Sequence, residues 1–285
     1  MQSKAVKVLM AGALALGLTA CLPGQPQPPS DKPAAAAPAP NVPVDLDVPY
    51  VPTPEPVVDA MLKLAAPKTG EFIIDLGSGD GRIINTAVSR TPGLKGFGVD
   101  IDPQRIKEAN EGAAALKITD RVEFRQEDLF ETDFSKANVM TMYLLPDINL
   151  QLREKIITTM SPGTRIVSHD FDMGEWGTEE TFRVPGDESF VYFWIVPANA
   201  AGKWTLTPQG AKPVQLDLQQ YFQILEGGDA KGRVKGTEVT LTVAGKTYTG
   251  AISGETITGK GFTATRSEKR AITFSGPRAT APTPQ

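Results

Sequence analysis

Apolar residues follow two different patterns along this chain. Between about residues 56 and 200, short apolar runs alternate with longer segments whose apolar side chains recur at helical spacing. Short continuous runs are typical of strands that are buried on both faces, and the longer segments are typical of amphipathic helices. Residues 56–200 are therefore predicted to form an α/β domain, a Rossmann-like sheet with helices on both faces.

The second pattern begins near residue 201. Apolar and polar residues alternate singly there, as at Val239, Leu241 and Val243, and glycines separate the segments. This alternation is typical of half-buried antiparallel strands, and Gly245-Lys246 is expected to form a tight hairpin loop. Residues 201–275 are predicted to form a small antiparallel β domain, a sandwich or an open barrel. It either binds a partner or an envelope polymer, or packs against the first domain.

The segment after the first predicted strand is rich in glycine. The strand begins at Phe72 and leads into a turn of glycines, a serine and two acids: Asp75, Gly77, Ser78, Gly79, Asp80 and Gly81. Glycines have no Cβ atom, so a ligand can approach the backbone closely. A strand, a glycine turn and a helix N-terminus together can form a nucleotide-binding cradle. The alternative is a purely structural turn.

Acidic residues near the turn narrow the choice of ligand. Asp100 ends the second predicted strand, where its carboxylate can accept hydrogen bonds from both ribose hydroxyls of an adenosine. Asp75 and Asp80 place further negative charge beside the turn, which suits a cationic ligand better than a pyrophosphate. S-adenosylmethionine carries a sulfonium and an ammonium and has no phosphate, so it is the predicted cofactor.

A candidate adenine-binding acid follows the third predicted strand. Asp128 lies where a carboxylate can accept a hydrogen bond from the exocyclic amine of adenine, and Glu127 is its rival, expected to be the solvated neighbour. Ile101 and Leu129 adjoin the acids at the ends of the second and third strands. Both are included in the predicted cofactor site.

A Pro-rich segment, residues 49–54, leads into the α/β domain. Proline fixes φ and lacks a backbone donor, so the segment could be only a stiff boundary. It could also be a lid that packs over the cofactor, with Tyr50 and Thr53 facing it. The sequence leaves both interpretations open.

Charge and composition exclude several classes of site. The net charge is −4, whereas a nucleic-acid-binding surface needs clustered Lys and Arg. The 285 residues contain one His and one Cys, which excludes an internal disulfide, an all-cysteine metal site and a His-rich zinc site. Neither a metal nor a nucleic acid is therefore expected as a partner.

Four motifs together carry a resemblance to one family. They are Pro49-Tyr-Val-Pro-Thr-Pro, Asp75-Leu-Gly-Ser-Gly-Asp-Gly-Arg, Met142-Tyr-Leu-Leu-Pro and Arg165-Ile-Val-Ser-His-Asp-Phe-Asp-Met. Over about residues 48–197 the chain resembles the seven-strand lysine methyltransferases that include the ATP synthase c-subunit lysine methyltransferase. The resemblance implies a seven-strand methyltransferase sheet and methyl transfer from S-adenosylmethionine to a protein lysine. It also implies that Gly77, Gly79 and Asp100 hold the cofactor.

The resemblance further implies an acceptor slot at the carboxyl ends of the fourth and fifth strands. Residues 138–146 are expected to be the fourth strand, and Tyr143 to Pro146 would line the slot. Tyr143 would face the lysine ammonium through a cation–π contact. His169 is a candidate proton acceptor, unless it only hydrogen-bonds a strand end. Asp172 either steers the lysine or caps the following turn.

The N-terminal residues predict export and lipidation. Residues 1–21 combine a basic start with an apolar segment and end in Leu-Thr-Ala-Cys21, which resembles the lipobox of bacterial lipoproteins. Cys21 would anchor the chain in the envelope, at the outer membrane or periplasmic face, and a cytoplasmic location is left open. An uncleaved anchor or a frayed terminus is the alternative. Residues 22–55, rich in Pro and Ala, would be an extended tether, and residues 276–285 a disordered tail.

Three functions stay open on the sequence alone. The first is a lipid-anchored protein-lysine methyltransferase, favoured by the set Gly77, Gly79, Asp100 and Asp128. The second is a non-catalytic envelope lipoprotein that uses the fold as a binding scaffold. Export favours it, because S-adenosylmethionine is made in the cytoplasm. The third is a small-molecule methyltransferase, which a shallow acceptor slot would indicate.

Overall fold

The structure, a computed structural model, describes residues 50–274 of the chain. The predicted signal peptide with Cys21, residues 22–49 of the predicted tether and the predicted tail at residues 276–285 lie outside the described residues. None of the helices within residues 50–274 has both the length and the apolar content needed to cross a bilayer.

The first part of the described chain forms one seven-stranded sheet. Its helices and strands, in chain order, are α1 (Glu55–Ala65), β1 (Phe72–Leu76), α2 (Arg82–Arg90), β2 (Lys95–Asp100), α3 (Pro103–Ala115), β3 (Val122–Gln126), β4 (Val139–Met142), α4 (Pro146–Thr159), β5 (Arg165–His169), β6 (Glu180–Arg183) and β7 (Phe190–Ile195). The strand order is β3-β2-β1-β4-β5-β7-β6, and β7 runs antiparallel to both of its neighbours. The strand order reverses beside β1, so a crevice opens at the carboxyl ends of β1 and β4. The predicted seven-strand sheet is confirmed.

The central strand β1 explains why the sequence shows continuous apolar runs. Ile73 packs in a core with α1, α2 and α3 on one face of the sheet. Ile74 packs in a second core with α4 on the other face. A strand that is covered on both faces needs apolar residues at consecutive positions. The helices therefore lie on both faces, as predicted.

The second part of the described chain forms a closed eight-stranded barrel. Its strands are β8 (Gly202–Pro208), β9 (Val214–Tyr221), β10 (Ile224–Gly227), β11 (Ala230–Lys235), β12 (Glu238–Val243), β13 (Lys246–Ser253), β14 (Thr256–Gly259) and β15 (Phe262–Lys269). Each strand pairs antiparallel with the next, and β15 pairs with β8 to close the barrel. Inward side chains, among them Trp204, Leu218 and Phe262, fill the interior. The antiparallel β domain is confirmed, but the expected sandwich or open barrel is wrong, because the β15–β8 pairing closes the sheet on itself.

Two boundaries and one additional strand differ from the sequence prediction. The fourth strand ends at Met142 rather than Pro146, because Pro146 begins α4, where a missing N–H costs nothing. The hairpin between β12 and β13 turns at Ala244 and Gly245, whose φ values are 48° and 78°, so Lys246 belongs to a strand. Strand β6 was not predicted, because it is short and its residues are all partly exposed.

Candidate functional site

A cavity of about 270 Å³ opens at the carboxyl ends of β1, β2 and β4. Its walls come from the Pro-rich entry, the glycine turn and the segments that follow β2, β3, β4 and β5. The predicted site residues that line it are Tyr50, Thr53, Asp75, Gly77, Ser78, Gly79, Asp80, Asp100, Ile101, Asp128, Leu129 and Tyr143. The structure therefore brings most of the predicted residues together at the edge where open α/β folds bind ligands.

The Asp100 carboxylate is tied to the glycine turn. Its Oδ2 atom accepts a hydrogen bond from the Gly79 N–H at 2.8 Å, and its Oδ1 atom accepts one from the Asp102 N–H at 2.9 Å. Burial raises the pKa of Asp100, and these backbone hydrogen bonds partly offset the rise. Each oxygen keeps a further lone pair, so the carboxylate can still accept hydroxyl groups from a ligand.

Two glycines of the turn let other side chains come close to the backbone. A Cβ atom on Gly77 would lie 2.7 Å from Leu144 Cδ2, and one on Gly79 would lie 2.6 Å from Tyr50 Cε2. Both glycines also have positive φ, 71° and 51°, which residues with side chains rarely adopt. Between them, the Ser78 hydroxyl is buried and has no hydrogen-bond partner within residues 50–274. The hydroxyl lies against Gly98 of β2, so the turn offers a narrow cradle in which a ligand meets mainly backbone atoms.

Asp75 is buried beneath the turn. Its Oδ1 atom accepts a hydrogen bond from the Thr141 hydroxyl on β4 at 2.7 Å. Desolvation raises the pKa of Asp75 to about 8; the Thr141 hydrogen bond lowers it, and the charges of Asp100 and Asp80 raise it. A cationic group bound beside Asp75 would favour the charged carboxylate.

Two arginines that the sequence prediction missed also line the cavity. Arg82 pairs with Asp80 at 2.6 Å. Burial raises the pKa of Asp80, but the hydrogen bonds and the charge of Arg82 outweigh it and hold the pKa below its usual value. Arg105 pairs with Glu108 at 2.6 Å and lies 4.3 Å from the centre of the Tyr50 ring. The two arginines make the cavity less acidic than the sequence indicated. The position of Arg82 two residues after Asp80 was the feature of the sequence that could have indicated this ion pair.

Both acids that the sequence proposed for the adenine side line the cavity. Asp128 is exposed, and its carboxylate accepts a hydrogen bond from the Phe130 N–H at 2.8 Å. Glu127 is partly buried, and its N–H donates to the Asp100 carbonyl at 3.1 Å. Asp128 is thus the more exposed of the two acids, whereas the sequence analysis expected Glu127 to be the solvated neighbour.

The Pro-rich entry lies over the glycine turn. Tyr50, Val51, Pro52 and Thr53 all line the cavity. The Thr53 carbonyl accepts a hydrogen bond from Arg82 at 3.0 Å, which ties the entry to the start of α2. Of the two interpretations that the sequence left open, this position favours a lid over a stiff boundary.

Aromatic and aliphatic side chains form the other end of the cavity. They come from the connections after β4 and β5 and from the first turn of α4: Tyr143, Leu144, Leu145, Ile148 and Phe171. The rings of Tyr143 and Phe171 are stacked, with 6.2 Å between their centres. Burial raises the pKa of Tyr143, and the charges of Asp170 and Asp187 raise it further. An aromatic slot beside carboxylates suits a cationic side chain.

His169, a predicted catalytic residue, does not line the cavity. It is buried behind Tyr143, with 3.7 Å between the ring centres. Its Nδ1 and Nε2 atoms are within hydrogen-bonding distance of the Thr53 and Ser189 hydroxyls, at 3.2 and 3.0 Å, and burial lowers its pKa. The structure therefore favours a supporting role at the strand end over proton acceptance. Phe171, which the prediction missed, lines the cavity instead. Its position just after the carboxyl end of β5 could have identified it as a lining residue.

Three further predicted residues lie outside the cavity lining. Pro146 begins α4, where it fixes the direction of the helix. The Asp172 carboxylate accepts a hydrogen bond from the Gly174 N–H at 2.9 Å, so it caps the following turn. A Cβ atom on Gly81 would lie 2.6 Å from the Phe124 ring, so this glycine allows α2 to pack against its neighbours. Each residue thus has a local structural reason for its identity.

Several known proteins are similar to part of this chain. A family model described as the ANTKMT methyltransferase domain matches residues 75–180. A protein-lysine N-methyltransferase of Saccharolobus islandicus is 42% identical over 151 residues, which cover 52% of this chain and 94% of that protein. The ATP synthase c-subunit lysine N-methyltransferase of Xenopus laevis is 26% identical over 147 residues, which cover 52% of this chain and 64% of that protein.

A solved structure is also similar. It is a crystal structure of an RNA methyltransferase from Salinibacter ruber in complex with S-adenosyl-L-homocysteine, with 49% sequence identity and a TM-score of 0.49. The match covers 52% of this chain and 94% of that chain.

Proposed function

We propose that this chain, which belongs to the S-adenosylmethionine-dependent protein-lysine N-methyltransferase family, transfers a methyl group to the side-chain amine of a protein lysine. The observation that carries the proposal is the position of the Asp100 carboxylate. It is held on the Gly79 N–H at one end of a cavity whose other end is aromatic. The first end suits an adenosine, and the second suits a lysine side chain.

The residues at the glycine end fit S-adenosylmethionine. Asp100 would accept the ribose hydroxyls, and Asp128 or Glu127 would accept the adenine amine. Asp75 would face the ammonium, whose charge would favour the ionised carboxylate.

The residues at the aromatic end would position the lysine. When bound, S-adenosylmethionine would supply an electrophilic methyl group. The neutral lysine amine would form the N–C bond in line as the S–C bond breaks, and the neutral thioether S-adenosylhomocysteine would leave with the electron pair. Tyr143 and Phe171, whose rings are stacked on each other, would form one wall beside the lysine side chain and align its nitrogen with the cofactor end of the cavity. Their apolar surface favours the neutral amine, because desolvation favours loss of the ammonium proton. The raised pKa of Tyr143 keeps its hydroxyl protonated, so the ring acts as an uncharged wall.

The charges around the aromatic end favour a lysine over an RNA. Tyr143 lines this end, and the negative charges of Asp170 and Asp187 contribute to the rise of its pKa, after burial. These carboxylates attract an approaching lysine, whereas an RNA backbone requires positive charge at this position.

Methyl transfer from isotopically labelled S-adenosylmethionine tests the proposal. The full chain is incubated separately with poly-L-lysine, with a bacterial envelope extract and with total RNA, and the products are hydrolysed and analysed by mass spectrometry. We expect methylated lysine from poly-L-lysine and from proteins of the extract. Asp100→Asn should weaken S-adenosylmethionine binding about tenfold or more, because the hydrogen bonds from the two ribose hydroxyls would lose their negatively charged acceptor. The matched control is Asp59→Asn, which changes an exposed acid on α1 that pairs with Arg90.

Three results would contradict the lysine proposal. Label in nucleosides would indicate an RNA methyltransferase, and label in small amines would indicate a small-molecule methyltransferase. Cofactor binding without transfer to any acceptor would favour a binding scaffold.

We also propose that Cys21 is lipid-modified and anchors the chain in the bacterial envelope, at the outer membrane or the periplasmic face. The support is the sequence Leu-Thr-Ala-Cys21 after an apolar segment. Metabolic labelling with palmitate, followed by fractionation of the cells, tests this. We expect the label and membrane association in the wild type and neither in Cys21→Ser. An unlabelled wild type in the soluble fraction would refute the anchor.

A further inference from the structure

The loop of residues 170–179, between β5 and β6, forms part of the aromatic end of the cavity. It carries Phe171, whose ring is stacked on Tyr143. Helix α4 holds this loop on one side, where Asn149 Nδ2 donates a hydrogen bond to the Phe171 carbonyl at 3.0 Å. The position of the Phe171 ring thus depends on how the loop is held.

The barrel holds the same loop on the other side. Phe222, between β9 and β10, is stacked on Trp176 of the loop, with 6.4 Å between the ring centres and 8° between the ring planes. Gln223 Nε2 donates a hydrogen bond to the Gly177 carbonyl at 2.6 Å. The loop is therefore enclosed between α4 and the barrel.

Charged side chains connect the two sides. Arg153 of α4 donates a hydrogen bond to the Met173 carbonyl at 2.9 Å, and its guanidinium lies 4.8 Å from the centre of the Phe222 ring. At the far end of the loop, Glu179 pairs with Arg233 of β11 at 2.5 Å. A change in the barrel at Phe222 would therefore reach both the loop and α4.

Phe222 has an unusual backbone conformation. Its φ is 51°, in the left-handed region that residues with a Cβ atom avoid. Gln220 Nε2 donates to the Phe222 carbonyl at 2.7 Å, and the Phe222 N–H donates to the Thr273 carbonyl at 3.3 Å. A strained residue persists where its surroundings fix it, and here they fix the ring against the loop.

We propose that the barrel positions the methyl acceptor. Phe222 and Gln223 fix residues 170–179, so that Phe171 stays against Tyr143 at the aromatic end of the cavity. This inference rests on the proposed function, because it assigns the barrel to the acceptor side of the same site. Phe222 is a positioning residue, since it acts through Trp176 and lies outside the cavity lining.

Replacement of Phe222 by alanine tests the inference in the full chain. With poly-L-lysine as acceptor, we expect Phe222→Ala to raise the acceptor KM about tenfold or more, because the slot loses its alignment. The Kd for S-adenosylmethionine, measured by calorimetry, should not change. Hydrogen–deuterium exchange of residues 170–179 should become faster. Phe222→Tyr keeps the ring, so its acceptor KM and its exchange rate for residues 170–179 should both equal those of the wild type.

The matched control is Phe262→Ala. Phe262 is as buried as Phe222, but its ring contacts Tyr248 inside the barrel. We expect no change in the acceptor KM or in the exchange of residues 170–179. If Phe262→Ala changes both as much as Phe222→Ala does, the effect is general loss of barrel stability and the inference is overturned.

Other outcomes also test whether the barrel holds the loop of residues 170–179. Unchanged exchange and unchanged acceptor KM in Phe222→Ala would overturn the inference. If that variant does not fold, Gln223→Ala removes a single hydrogen bond to Gly177 and should also speed exchange of the loop; unchanged exchange would overturn the inference. A wild type that binds cofactor but methylates no lysine would instead refute the proposed function, and the exchange data would still decide whether the barrel holds the loop.

Discussion

Replacement of Asp75 by asparagine should change how folding stability depends on pH. The carboxyl is buried, and desolvation raises its pKa from 3.8 to about 8. Between these two values the folded protein keeps a proton that the unfolded chain releases. The free energy of unfolding of the wild type therefore falls as the pH rises from 3.8 to about 8. The protonated carboxyl stabilises the folded state to its full extent only below the pKa that the carboxyl has in the unfolded chain.

The magnitude follows from the width of the window. Each pH unit should lower the free energy of unfolding of the wild type by about 1.4 kcal/mol relative to Asp75→Asn. Across the whole window the difference amounts to roughly 6 kcal/mol, which is comparable with the total stability of a domain. His169 acts in the opposite direction, because burial lowers its pKa and protonation in acid favours unfolding. This term is common to both proteins and cancels in the difference.

Urea unfolding, followed by tryptophan fluorescence at about pH 5, 6, 7 and 8, measures the difference. Thr141→Val is the control, because it removes the hydroxyl that donates to Asp75 but leaves the carboxyl in place. It should keep the wild-type slope. Saturating S-adenosylmethionine should flatten the slope in the wild type, since a bound cation favours the carboxylate. Parallel curves for the wild type and Asp75→Asn would refute the desolvation argument.

Three further predictions concern the two ends of the cavity. Gly79→Ala should weaken S-adenosylmethionine binding about tenfold or more in calorimetry, because its Cβ would lie 2.6 Å from Tyr50. Gly210→Ala, also at positive φ but with open space around it, should keep the affinity, and equal affinities in both variants would contradict the cradle. Tyr143→Ala should raise the KM for poly-L-lysine about tenfold, and Tyr143→Phe should not, because the ring rather than the hydroxyl forms the wall; equal losses would assign a role to the hydroxyl. His169→Gln should leave the shape of the pH profile of kcat unchanged, since the ring lies outside the cavity lining; a displaced acidic limb would make it a proton acceptor after all.

The sequence was sufficient to bring together those residues of the cavity lining that lie at strand ends. Gly79 and Asp100 are far apart in the chain, but β1 and β2 are parallel neighbours whose carboxyl ends meet at one edge. Their proximity therefore follows from recognising two strands and a glycine turn. Tyr143 was found through the resemblance of Met142-Tyr-Leu-Leu-Pro to a family motif, and the structure places it just after the end of β4.

The parts that the sequence missed depend on contacts between distant segments. The sequence gives no reason to separate Gly81 from Gly77 and Gly79, but in the structure Gly81 packs against Phe124 and not along the cavity. His169 is a candidate proton acceptor on the sequence alone, but in the structure both ring nitrogens lie within hydrogen-bonding distance of hydroxyl groups, those of Thr53 and Ser189. Closure of the barrel depends on the pairing of β15 with β8, and local alternation of residues carries no information about that pairing.

The two strands that close the barrel also determine how it is joined to the rest of the chain. Gly202 at the start of β8 lies opposite Lys269 at the end of β15. A module whose first and last strands are side by side can be appended to a finished fold at a single junction, without interrupting any strand of the host. The seven-stranded sheet accordingly keeps an uninterrupted topology, although a complete barrel follows it in the chain.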